Sequence, residues 1–169
     1  PRRQRPGQCA LARMTIMRSH VIAAGVLTAC MLAAPASAQQ VDVQENVGNA
    51  TPERPGDIRI YLDGAWHGAT LPPSKSSSPV DHLDVARLNE YVLEPILGIG
   101  DPRTDPNLDF VGGIRGTAEL ERLVDCGKAA LAISMYATSI EELIDVSDAG
   151  LLMPPKSTWF EPKLADGMV

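Results

Sequence analysis

From Val21 to Ala34 the chain reads VIAAGVLTACMLAA, an unbroken apolar run that is followed by Ala36-Ser37-Ala38 and then by polar sequence. Arg18 precedes it, with Met14 and Met17 as candidate starts. A basic flank, a short apolar run and an A-x-A cleavage site make an export signal, and the run is shorter than the ~20 residues that a membrane span needs. Residues 1–38 are therefore expected to be upstream sequence and an export-signal-like leader. The leader should form an isolated helix over about Arg18 to Ala34, because an apolar run rich in Ala and Leu favours helix and has no polar face with which to dock. Leu27-Thr28-Ala29-Cys30 offers a second reading, a lipoprotein box in which Cys30 is lipidated.

Charge divides at the same place. All 21 acidic residues lie beyond Gln39, together with ten of the 15 basic ones, so the net charge of −6 conceals a body of net −11. Such an excess disfavours nucleic acid and anionic lipid as partners, and no membrane contact is expected apart from the leader. Of the three cysteines only Cys126 lies in the body. No intrachain disulfide and no zinc site are expected there.

Residues 39–56 are polar, carry Asn46, Gly48, Asn49, Pro52 and Pro55 as breakers, and read as a disordered linker that does not pack on the body. Residues 57–169 read as a truncated α/β domain. Ile58 to Leu62 and Ala65 to His67 flank Asp63-Gly64, the dipeptide that favours a tight hairpin. Asp81 or Asp84 is expected to cap a helix on which Val85, Leu88, Tyr91 and Val92 recur at helical spacing, ending near Pro95. Leu108 to Val111 reads as a strand, and Thr117 as the cap of a helix from Ala118 to Cys126 closed by Gly127. Ala129 to Tyr136 reads as an apolar strand, and Ser139 with Glu142 as a capping box for a helix ending at Gly150. Thr158 to Phe160 reads as a short strand and Asp166-Gly167 as a second hairpin turn. The fold class is thus α/β, a small layered sheet with alternating helices and strands plus terminal hairpins, preceded by the signal-like helix.

Three segments carry more polar or glycine content than packing requires. In Asp109-Phe-Val-Gly-Gly-Ile-Arg-Gly116 a strand runs into a glycine turn at the start of a helix. Gly112 and Gly113 would let an anion approach backbone N–H groups, and Arg115 would add a charged fork. In Met153-Pro-Pro-Lys-Ser-Thr-Trp-Phe-Glu-Pro-Lys163 two prolines stiffen the approach to Lys156, Ser157 and Thr158, a set suited to phosphate or carboxylate, and Lys163 lies close by in sequence. These two segments are expected to converge on one concave surface. The third segment, Asp101-Pro-Arg-Thr-Asp105, could ligate a cation, though it reads more simply as a turn whose Asp and Arg satisfy one another. His67 and His82 have no partner at metal spacing and read as surface or hairpin residues, while Cys126 reads as a small buried one. No catalytic residues and no cofactor can be assigned. The ligand expected is a phosphorylated or carboxylate small molecule.

The segments YLDGAW, LNEYVLEPILGIGDPRTD, DFVGGIRGTAELERLVDCGKAALAISMY and TSIEELIDVSDAGLLMPPKSTWFEPKLADG, spanning about Pro52 to Val169, resemble the C-terminal part of the bacterial domain of unknown function 1015 family. That resemblance implies a longer cytoplasmic protein carrying an upstream Asp-Gly-His-His-Arg-like motif similar to that of the ParB-like free-serine kinases. By analogy it implies phosphotransfer linked to serine metabolism. No such motif occurs in this sequence, so the resemblance implies a fragment inactive alone. The leader implies instead an exported or periplasmic binding or structural module.

Overall fold

The structure is a computed structural model and describes residues 14–17, 41–155 and 157–158. The strands are β1 (Met14–Met17), β2 (Asp42–Gln44), β3 (Asp57–Leu62), β4 (Ala65–Thr70), β5 (Leu108–Val111) and β6 (Leu131–Met135). The helices are α1 (Pro79–His82), α2 (Asp84–Leu88), a π-helical segment (Asn89–Leu93), a 3-10 turn (Gly113–Arg115), α3 (Thr117–Asp125) and α4 (Ile140–Asp148). The expected leader helix, the Asp166-Gly167 turn, Lys156 and Lys163 lie outside the described residues.

The hairpin forms where Asp63 and Gly64 take φ of 50° and 78°, the two left-handed residues of a type I′ turn. From it grows one sheet in the order β2-β4-β3-β6-β1-β5, antiparallel at every pairing. Strands β5 and β6, both antiparallel to β1, run parallel to each other, and α3 connects them. The chain is therefore of mixed α and β structure, as expected. Strand β6 is buried along its whole length, which suits an apolar run with neighbours on both sides.

Each face of the sheet has its own core. On one, Ile58, Leu62, Leu131, Ile133 and Met135 pack with Leu88, Val92 and Leu93 of α2 and the π-helical segment. On the other, Tyr61, Trp66, Val111 and Ala132 pack with Leu120 of α3. Polar tips fix that helix: Trp66 Nε1 donates to Glu121 Oε1 at 2.8 Å, and Tyr61 Oη donates to Asp125 Oδ1 at 3.1 Å. Burial first, then the Asp125 carboxylate, pushes the Tyr61 phenol above its ordinary range.

Several expectations are corrected. The described part of 39–56 is not a free linker, because β2 pairs with β4 and its Val43 lies against the core, as does Val41. Val47 and Ala50 pack on the opposite face. Met14–Met17, read as the start of the leader, forms a strand between β5 and β6. Cys126, read as buried, is exposed at the end of α3, whereas His67 lies in the β3–β4 hairpin, buried opposite Ile60.

The expected single helix from Asp81 or Asp84 is broken at Leu83, whose extended backbone (φ −63°, ψ 138°) carries its side chain into the core. Neither aspartate caps. Asp84 Oδ2 instead accepts the Gly56 N–H at 2.7 Å, and its Oδ1 accepts from Arg87 Nη1 at 2.9 Å. Arg87 also donates from Nε to the Pro72 carbonyl at 2.8 Å and from Nη2 to the Leu71 carbonyl. This buried pair ties α2 to both ends of the β3–β4 hairpin.

The capping box on α4 forms as read: Ser139 Oγ accepts from Glu142 N at 3.1 Å, and Glu142 Oε2 accepts from Ser139 N at 2.7 Å. Ser139→Ala is expected to lower unfolding stability by about 1 kcal/mol, measured by denaturant titration. No change would mean that the cap is redundant.

Candidate functional site

A cleft of about 390 Å3 opens on the face of the sheet covered by α2. Its floor is Phe110 of β5 and Met135 of β6, and one wall is Val85, Ala86, Leu88, Asn89 and Leu93. The turn Asp101-Pro102-Arg103 and the dipeptide Pro154-Pro155 complete it. An apolar hollow of this size with a few polar groups at its rim is the usual form of a small-molecule site.

The polar rim is built locally. Asp101 Oδ1 accepts from the backbone N–H of Arg103 at 3.0 Å and from its Nε at 3.1 Å. The backbone N–H first, then the guanidinium, holds the Asp101 carboxyl below the usual carboxylate range. This is the self-satisfied turn read from the sequence, and it leaves the rest of the exposed Arg103 guanidinium at the mouth of the cleft. Asn89 lines the same cleft, and its Oδ1 is buried without a hydrogen-bond partner among the described residues.

Of the residues expected to bind an anion, Gly112, Gly113, Arg115, Ser157 and Thr158 lie among the described residues. Gly112 and Gly113 follow β5, and their carbonyls accept from Arg115 N and Gly116 N to make the 3-10 turn. Gly116, at φ 72°, is the residue there that needs to be glycine. Arg115 is exposed, and its Nη1 lies 3.9 Å from Glu119 Oε1, a carboxylate held more closely by Arg122 at 2.7 Å. Ser157 is buried: its hydroxyl donates to the Pro154 carbonyl, and its own carbonyl accepts from Thr138 Oγ1 at 3.4 Å. It closes the proline loop, and Thr158 beside it is half-buried. Lys156 and Lys163, and with them the expected meeting of Arg115 with Lys156, lie outside the described residues. What the fold does bring together is the Asp101–Arg103 turn and Pro154-Pro155.

The sequence reading missed Phe110, Met135 and Asn89 as site residues. The first two carried only a strand signal. Asn89 carried a weak one, a polar residue following the buried positions of a helix.

Comparison of the chain with protein-family models, with curated proteins and with solved structures finds no match. Among the described residues, no helix is long and apolar enough to cross a membrane. No group of three or more His, Cys, Asp and Glu among them could hold a metal ion.

Proposed function

We propose that the chain binds a small molecule with an apolar body and an anionic end, and that residues from about Pro52 onward are the C-terminal part of a protein of the domain of unknown function 1015 type. The observation that carries the binding reading is the cleft itself: two segments far apart in sequence, Asp101-Pro102-Arg103 and Pro154-Pro155, wall one apolar hollow with a guanidinium at its rim. The apolar body would lie on Phe110 and Met135, and the anionic end would meet Arg103. The family reading rests on the motifs DPRTD, DFVGGIRG and MPPKSTWFEP. In this reading the chain supplies binding surface, and a phosphotransfer step linked to serine metabolism would need groups from further sequence.

The alternative, an exported module that binds without chemistry, is favoured by Ala36-Ser37-Ala38. Cleavage after Ala38 would remove β1 from between β5 and β6, which weighs toward the first reading.

Anilinonaphthalene sulfonate has the required apolar and anionic parts and serves as a probe. Saturable fluorescence enhancement is expected with the folded full chain. Ala86→Phe, which fills the cleft from α2, should weaken binding by about tenfold with the unfolding midpoint preserved, as should any block of a preformed apolar pocket. Unchanged affinity in that variant would contradict the reading.

A further inference from the structure

The opposite face of the sheet holds a second, polar cleft of about 270 Å3, lined by Gln44, Arg54, Asp57, Arg59, Gly68 and Thr70 among others. The acids around it are already supplied with donors. Asp57 accepts from Arg54 Nε at 3.1 Å and from Thr70 Oγ1 at 3.0 Å, and Glu53 accepts from Asn49 Nδ2 at 3.3 Å.

Arg59 is in the reverse position. Its Nη1 donates to the neighbouring Ile58 carbonyl at 3.1 Å, and its Nε is buried without a partner. No carboxylate among the described residues lies within ion-pair distance of it. On one side of Arg59 the register places Gly68, where an added Cβ would stand 3.2 Å from Val47 Cγ1 and 3.4 Å from Arg59 Nη1, so the guanidinium and Val47 share the space over a strand position that has no side chain. On the other side the register places Ser134, on the same face of the sheet, 1% exposed and with its hydroxyl also unpartnered. The guanidinium that lines the cleft thus has an unpartnered Nε and no carboxylate at ion-pair distance among the described residues, and the neighbouring Ser134 hydroxyl, outside the cleft lining, offers it no hydrogen bond. Buried donors are nearly always satisfied, and the planar fork of a guanidinium suits a carboxylate or a phosphate.

We infer that this cleft binds the oxyanion of a small molecule, a carboxylate or a phosphate group, accepted by the Arg59 guanidinium. The site is on the other face of the sheet from the apolar cleft and stands independently of it.

The test is titration of the full chain with acetate and, separately, with inorganic phosphate, followed through the Gly68 amide and Arg59 Nε–H resonances. At least one anion should produce saturable shifts. Saturation by acetate alone assigns a carboxylate ligand, and by phosphate alone a phosphate ligand. Arg59→Met should abolish the Gly68 shift. Arg59→Lys, which keeps the charge but loses the planar fork, should weaken binding by about tenfold with the unfolding midpoint preserved. The second variant decides the matter if the first does not fold. The inference is overturned if neither anion shifts these resonances below roughly 0.15 M, where surface charges are screened, or if Arg59→Lys leaves affinity unchanged.

Discussion

Arg87→Met is expected to lower the free energy of unfolding by about 3–5 kcal/mol, the range for removing one partner of a buried ion pair. The Arg87 and Asp84 side chains are 12% and 10% exposed, so the variant would strand a carboxylate where water reaches it poorly. It would also leave the Leu71 and Pro72 carbonyls without their donor. Removing both charges, as Asp84→Asn with Arg87→Met, should recover part of the loss, since the uncompensated charge is then gone.

The pH dependence carries a sign. Burial first raises the Asp84 carboxyl above its ordinary range, while the Gly56 N–H and Arg87 only partly oppose this. A carboxyl raised in the folded state contributes stability that is fully present below its unfolded pKa and is lost as pH rises through the folded one. Without Arg87 the folded value rises further. The deficit of Arg87→Met should therefore be larger at neutral pH than in mild acid, measured by denaturant unfolding at both. A deficit independent of pH would mean that the guanidinium matters only for its carbonyl contacts.

Leu120→Ala is expected to cost about 2–5 kcal/mol, as truncation of a fully buried leucine does. Leu120 is the buried residue of α3, and it packs among Tyr61, Trp66, Val111 and Ala132. The hydrogen bonds from Trp66 to Glu121 and from Tyr61 to Asp125 orient the helix, but they lie nearer to water and contribute less. Amide exchange should accelerate over Thr117–Asp125 before it does in β3 and β6, because the helix loses its anchor while the opposite core keeps Ile58, Leu131 and Ile133. Equal acceleration throughout would show that the two cores unfold as one unit, and a loss below about 1 kcal/mol would assign the docking to the polar tips.

Local signals in the sequence were legible wherever a few adjacent residues decide the structure. Asp63-Gly64, the Ser139–Glu142 capping box and the apolar run of β6 each act through their immediate neighbours, and each appears as read. Long-range pairing was not legible. Met14–Met17 and Asp42–Gln44 are too short to show an alternation of their own, and they become strands by pairing with segments remote in the chain. The helix expected from Asp81 or Asp84 breaks because the Asp84 carboxylate goes to Gly56 and Arg87 and because Leu83 turns into the core, both tertiary effects.

The candidate sites follow the same division. The Asp101–Arg103 turn and the stiffness of Pro154-Pro155 were readable, whereas their convergence over Phe110 and Met135 depends on the path of the whole chain. Arg59 and Ser134 read as unremarkable strand positions, since only the register shows them side by side without partners.

The binding reading is tested most directly by methyl-resolved spectra of the full chain titrated with anilinonaphthalene sulfonate. The probe should move the methyl signals of Met135, Ala86 and Val85, which line the cleft, and leave Ile144 and Leu152 unmoved, although both are exposed apolar side chains open to a nonspecific ligand. Shifts confined to Ile140, Ile144, Leu151 and Leu152, with Met135 unchanged, would contradict the account.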